Sequence, residues 1–327
     1  MAAWLLRRCA AAIGIVVAVV TLTFALIHLA PGTPFQRGED RFLDPVEDSL
    51  LRHAYALDRP LPEQYVAYLG RLARGDFGTS FALRVPVADL LAATVPNTLL
   101  LSGTALAIDL LLGAAIGLYQ AARARRRADV LLGNAALFLH SVPTFWFGLL
   151  LLLVFALLLH WFPAGGASGV VHTSLPLLGR IGDRAWHLAL PALTLGLVGA
   201  GGTARYQRAA LLEVAGQDFI RTARAKGLGE RRIWMAHTFR NGLLPMITLL
   251  GLALPFLLTG SVLVETVFSW PGMGRLAADA IFSRDYPVVT ATTLIAATMV
   301  VLGSLAADVL YVLADPRIRT VDAGGAR

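Results

Sequence analysis

Residues 218–245 read DFIRTARAKGLGERRIWMAHTFRNGLLP, a polar, arginine-rich stretch set between two long apolar runs. Five cations fall between 221 and 232: Arg221, Arg224, Lys226, Arg231 and Arg232. Wound as a helix, the stretch puts Phe219, Ile220, Ala223 and Gly227 on one side, while Arg221 and Arg224 point elsewhere. Ala223 and Gly227 are small enough to let a second protein approach the backbone. A basic amphipathic helix projecting from a membrane protein on its positive side suits docking of a soluble partner.

Composition places the stretch in a membrane protein. Of 327 residues, 57% are hydrophobic and 15% charged, and the mean hydropathy is +0.67; soluble domains carry roughly 25% charged residues. Apolar runs near 9–30, 97–121, 131–160, 188–205, 243–267 and 289–313 approach or exceed the ~20 residues a helix needs to cross the hydrocarbon core. The fourth is the shortest, and its lower end is expected to continue helically through Ala209, Leu212 and Val214. Helices satisfy their backbone hydrogen bonds internally, as lipid requires, and no run alternates like a barrel strand. The expected fold is therefore an all-α integral membrane protein with six transmembrane helices.

The cations orient it. Arg7 and Arg8, then Arg123, Arg125, Arg126 and Arg127, then the eight basic residues from Arg205 to Arg240, and finally Arg317, Arg319 and Arg327 fall on one side. The short loops opposite hold Arg180, Arg184, Arg275 and Arg284. The positive-inside rule makes both termini, the 122–130 loop and the 206–242 loop cytoplasmic. The 31–96 connection, outside with seven arginines, is long enough to escape the rule. A net charge of +7 thus reflects phospholipid contact and topology rather than nucleic acid, for which no recognition module is present. Arg7-Arg8 before an apolar run imitates a signal peptide, but the run is long and lacks a small-x-small cleavage site, so it reads as an uncleaved span. The lone Cys9 forms no internal disulfide.

Between the spans, 31–96 combines the turn Pro31, Gly32, Pro34 with a near-helical stretch from Asp44 to Tyr68, broken by Pro60 and Pro62. Gly75-Asp76-Phe77-Gly78 makes a turn. The segment reads as ordered, serving either as an outer platform or as a lid packed on the helices. Pro143, Pro191, Pro245 and Pro255 lie in or beside spans, where prolines kink or start helices. Val267–Gly274, VFSWPGMG, reads as a connection dipping back into the outer leaflet.

Catalytic chemistry is missing from the sequence. Lys226 is the only lysine, no phosphate-cradling G-x-x-x-x-G-K-[ST] occurs, and the seven histidines are scattered without metal-ligand spacing. No nucleophile elbow occurs. The chain is read as no enzyme, with no cofactor of its own. Charged residues in spans are costly and are suspected of function. Asp109, midway along the second span, and Glu265, in the fifth, are candidates for a translocation path or for hydrogen-bonded glue between helices; Asp308 in the sixth lies near its cytoplasmic end.

The run Arg221-Thr222-Ala223-Arg224-Ala225-Lys226-Gly227-Leu228 resembles the coupling motif of ABC importer permeases of the dipeptide/oligopeptide/nickel family. The general motif is Glu-Ala-Ala, three residues, then Gly; here Arg221 and Thr222 replace its first two letters, whereas Ala223 and Gly227 keep their places. Leu244-Pro245 comes later than in the general motif, as it does in peptide permeases. Ala30-Pro31-Gly32-Thr33-Pro34, Leu57–Pro62, Gly75–Gly78, Glu265–Gly274, Arg284-Asp-Tyr-Pro-Val288 and Asp315–Arg319 extend the likeness over about residues 4–319.

The resemblance implies a type I ABC importer permease fold: a first transmembrane helix over 1–30, an extracytoplasmic helical insertion over 31–93, a permease core over 94–315 with its coupling helix at about 217–228, and a cytoplasmic tail over 316–327. It also implies a bacterial inner-membrane location, a paralogous permease partner, two ATPase subunits carrying ATP and magnesium, and an external solute-binding protein. Phe219, Ile220, Arg221, Thr222, Ala223, Arg224, Ala225, Lys226 and Gly227 are then the ATPase-coupling residues. Phe219 and Ile220 would anchor the helix, and Arg221, Arg224 and Lys226 would meet acidic ATPase groups. Gly227 and Gly229 would form the turn that sets its angle. A dipeptide or oligopeptide is the first-choice cargo, with nickel chelates, opines and glutathione-like molecules as alternatives. An autonomous secondary carrier, a membrane enzyme and a purely structural subunit are the rival readings.

Overall fold

The computed structural model describes residues 2–29, 59–243, 246, 250, 251, 253 and 261–314. The expectations for Ala30–Pro34, Asp44–Asp58, Leu244-Pro245, Pro255 and Asp315–Arg327, and for most of the fifth apolar run, lie outside these. The described residues are helical apart from turns and an isolated Thr79–Pro86 bridge. We number the helices α1 (Ala2–Leu29), α2 (Leu61–Ala73), α3 (Val87–Ala122), α4 (Arg127–Ser141), α5 (Thr144–Leu151, continuing with wider π-type turns over Leu152–Leu158), α6 (Leu177–Ala215), α7 (Asp218–Ala225), α8 (Glu230–Arg232, continuing through Ile233–Phe239 and Arg240–Gly242), α9 (Val262–Val267), α10 (Met273–Phe282) and α11 (Tyr286–Ala314).

Three of these, α3, α6 and α11, are long and apolar enough to cross a membrane. The run expected as one span over 131–160 is instead two helices, α4 and α5, bent by 104°. Pro143 is the physical cause. The residue before a proline is driven out of the helical region, and Val142 sits at φ −78, ψ 135, Pro143 at φ −57, ψ 126. Proline at a first turn, by contrast, costs nothing, because its missing N–H would have no helical partner; α2 accordingly has Pro60 as its N-cap and carries Pro62 in its first turn unbroken. The fourth apolar run extends at both ends into the 39 residues of α6, with Pro191 inside.

The chain divides into two units, Met1–Asn97 with Gly272–Val301 and Thr98–Pro271 with Leu302–Arg327. In the first, Val87, Leu91, Ala280, Val288 and Ala291 form a buried core against which Phe77 packs. The Gly75–Gly78 turn is real: both glycines have positive φ, 73 and 74, and the Gly78 amide donates to Asp76 Oδ1 at 2.9 Å. Just beyond it, buried Asp285 clamps the next loop. Its carboxylate accepts from Ser80 Oγ at 2.5 Å and from the Phe81 and Ala82 amides at 3.1 and 3.0 Å. Ser80 Oγ in turn accepts from the Leu83 amide at 2.9 Å.

In the second unit α3 and α6 cross on small residues. A Cβ on Gly113 would lie 2.5 Å from Thr203 Cγ2, one on Gly117 2.7 Å from Gln207 Cβ, and one on Gly196 2.6 Å from Ile108 Cγ2. Such close backbone approach is how helices gain contact where lipid supplies no hydrophobic drive. Trp270, fully buried, packs with Leu101, Leu188 and Ala192. Asp183 of α6 holds the preceding loop, accepting from the Gly169 amide at 3.0 Å, with His172 Nδ1 at 2.6 Å.

Candidate functional site

The coupling segment is built from the end of α6 outward. Gly216 closes α6, and Gln217, extended at φ −74, ψ 154, turns the chain into α7. Asp218 in the first turn and Arg224 in the last both complement the helix dipole. Helix α7 covers Asp218–Ala225, shorter than the 217–228 read from sequence. Lys226 ends it, and Gly227 reverses the chain at φ 78, a backbone region that side chains avoid. Gly229 instead takes an ordinary extended conformation, φ −63 and ψ 141, and caps α8.

One side of α7 is anchored and the other is bare. Ile220, Ala223 and Ile233 of α8 form a buried apolar cluster, with Leu228 packed against it. Thr222 Oγ1 donates back to the Asp218 carbonyl at 3.0 Å. Phe219 stays 42% exposed, as do Arg221, Ala225 and Lys226 on the surface. Arg221 reaches Asp218 at 3.3 Å, both side chains being well exposed. Arg224 is engaged within the chain: its Nε donates to Glu230 Oε1 at 2.8 Å, tying α7 to α8. That contact holds the Glu230 carboxyl below its ordinary range and raises the Arg224 guanidinium. Of the side chains read as meeting a partner, Ile220 and Ala223 are instead packed inside the chain, whereas Phe219, Arg221, Arg224 and Lys226 are exposed.

The two acids singled out in spans have different surroundings. Glu265 is wholly buried on α9, accepting from Thr98 Oγ1 of α3 at 3.0 Å, a hydrogen bond between helices. Asp109 lies half-buried at the α3–α6 crossing, where a Cβ on Gly199 would come within 2.7 Å of its Oδ2. A third carboxylate, with no counterpart in the sequence reading, is paired with an arginine. Asp129, buried at the start of α4, receives Arg208 Nε and Nη2 at 2.7 and 2.8 Å, a bidentate pair. It also receives the Arg125 amide at 2.9 Å. Among the described residues, no group of three or more His, Cys, Asp or Glu side chains is placed to hold a metal.

The sequence has counterparts among known proteins. The family described as binding-protein-dependent transport system inner membrane component matches residues 113–320, and its N-terminal companion matches residues 1–102. The chain belongs to that family. Among its relatives, the oligopeptide transport system permease protein AppB of Bacillus subtilis is 40% identical, covering 97% of this chain and 99% of that one. The di/tripeptide transport system permease protein DppB of Pseudomonas aeruginosa is 39% identical over 98% of this chain and 99% of its own. The glutathione transport system permease protein GsiC of Salmonella paratyphi A is 37% identical, with 97% and 98% covered.

Proposed function

We propose that this chain is a transmembrane permease subunit of an ATP-driven bacterial importer for dipeptides or oligopeptides. A solute-binding protein outside delivers the cargo, and two ATPase subunits inside supply the work. A paralogous permease completes the path. The observation that carries the reading is α7, whose inner face is fixed by Ile220 and Ala223 while Phe219, Arg221 and Lys226 stay outward. A large exposed ring beside exposed cations fits a docking surface with apolar anchor and charge steering. In this reading six helices cross the inner membrane, both termini are cytoplasmic, and the segment over 31–93 lies outside. ATP-driven closure of the ATPases shifts α7, which tilts α6 and switches access to the cavity.

The peptide cargo rests on the names of the relatives, and glutathione is the second reading because one relative is named for it. Reconstitution in proteoliposomes tests the proposal. Peptide uptake is expected only with the partner permease, ATPases, binding protein and ATP together. Flux through this chain alone, driven by an ion gradient, would overturn it. The ligand that co-purifies with the cognate binding protein separates peptide from glutathione.

A further inference from the structure

The arginine-rich ends of α3, α4 and α6 enclose a cavity of about 720 Å³, whose lining includes Gln120, Asp129, Arg205 and Arg208 together with apolar Val130 and Leu137. Its charges do not balance. Asp129 and Arg208 neutralise one another at 2.7 Å. Arg205 is exposed and, among the described residues, has no ion-pair or hydrogen-bond partner. One positive charge is therefore left over.

The setting narrows the occupant further. Arg123, Arg125, Arg126 and Arg127 are exposed around the mouth and raise the positive potential there. The flank of α4 beside it exposes Val130, Leu131, Leu137 and Phe138, an apolar strip suited to acyl chains. Basic pockets between membrane helices on the cytoplasmic side suit phospholipid heads. We propose that this cavity binds the head of phosphatidylglycerol, its phosphate on Arg205, with the chains lying along α4. One anionic charge matches Arg205. Phosphatidylcholine and phosphatidylethanolamine, both zwitterionic, bring no net charge to it.

Native mass spectrometry of the full chain, titrated with each of the three lipids, tests this independently of transport. Phosphatidylglycerol is expected to be retained in preference to the other two. Arg205→Gln is expected to weaken retention about fivefold, the effect of one basic residue at a membrane surface. Arg205→Lys, which keeps the charge, and Arg74→Gln, an equal charge loss elsewhere, are expected to leave it unchanged. The phosphatidylglycerol-induced rise in unfolding temperature gives a second readout for each variant that folds. Equal retention of all three lipids, unchanged binding in Arg205→Gln, or complete displacement by soluble glycerol 3-phosphate overturns the proposal. So does an assembled complex in which the partner permease fills the cavity.

Discussion

Replacing Asp285 with alanine tests the clamp that holds the loop after Gly78. The carboxylate is buried and accepts three hydrogen bonds, from the Ser80 hydroxyl and the Phe81 and Ala82 amides. A hydrogen bond to a charged acceptor contributes about 1.5–3 kcal/mol net. The three share one acceptor and are not additive, so the combined loss in Asp285→Ala is about 4 kcal/mol. Ser80→Ala removes one of them and leaves the Leu83 amide without its Oγ acceptor, a loss of about 2 kcal/mol. Hydrogen exchange of the purified chain reads the effect at the loop itself, because amide protection reports local opening. At 1.4 kcal/mol per factor of ten, protection of Phe81 and Ala82 is expected to fall by about a hundredfold or more in Asp285→Ala, and by about thirtyfold or less in Ser80→Ala. Unchanged protection at those two amides, or a larger loss in Ser80→Ala than in Asp285→Ala, would refute the assignment of Asp285 as the clamp.

Gly227→Asp is expected to abolish substrate-stimulated ATP hydrolysis in the assembled transporter while the chain still inserts. A Cβ there meets nothing within 4 Å, so the local cost is the left-handed backbone alone, about 1–2 kcal/mol; Gly227→Ala, with the same strain and no charge, should retain most stimulation, and equal loss in both would show strain rather than contact to be the cause. Arg208→Leu leaves Asp129 buried without its counter-charge and is expected to destabilise by about 3 kcal/mol, the low end for such a break because a third of the Arg208 side chain is exposed. Adding Asp129→Leu should recover much of that in a thermal-unfolding double-mutant cycle, and simple additivity would refute the pairing. Gly113→Ala forces a methyl to within 2.5 Å of Thr203 Cγ2 and is expected to cost about 1–3 kcal/mol. Thr203→Gly should relieve it, and an unchanged melting temperature in Gly113→Ala alone would mean the helices separate easily.

Local features of the chain were readable before the long-range ones. The alternation of cations with Phe219, Ile220 and Ala223 is a short-range periodicity, so α7 shows in the sequence. Gly227 marks its turn, and Pro143 foreshadows the break between α4 and α5. Helix lengths were less readable, because polar turns carry α6 well past its apolar stretch at both ends. The polar contacts were hidden for a different reason. Asp129 finds Arg208 79 residues away, and Asp285 finds Ser80 205 residues away, pairings that no spacing rule encodes. The Arg224–Glu230 pair was hidden as well, because Glu230 lies beyond the glycine turn, where helical spacing no longer says who faces whom. The Thr98 partner of Glu265 lies 167 residues away, equally beyond any spacing rule.

Helix α6 runs unbroken through 39 residues and ends two residues before α7. At 1.5 Å per residue it is about 58 Å long, so a rotation of about 5° at its basic end sweeps the far end through about 5 Å. In the importer reading proposed above, α6 would act as a lever: a small rotation at the α7 turn would be carried to its opposite end as a displacement of about 5 Å.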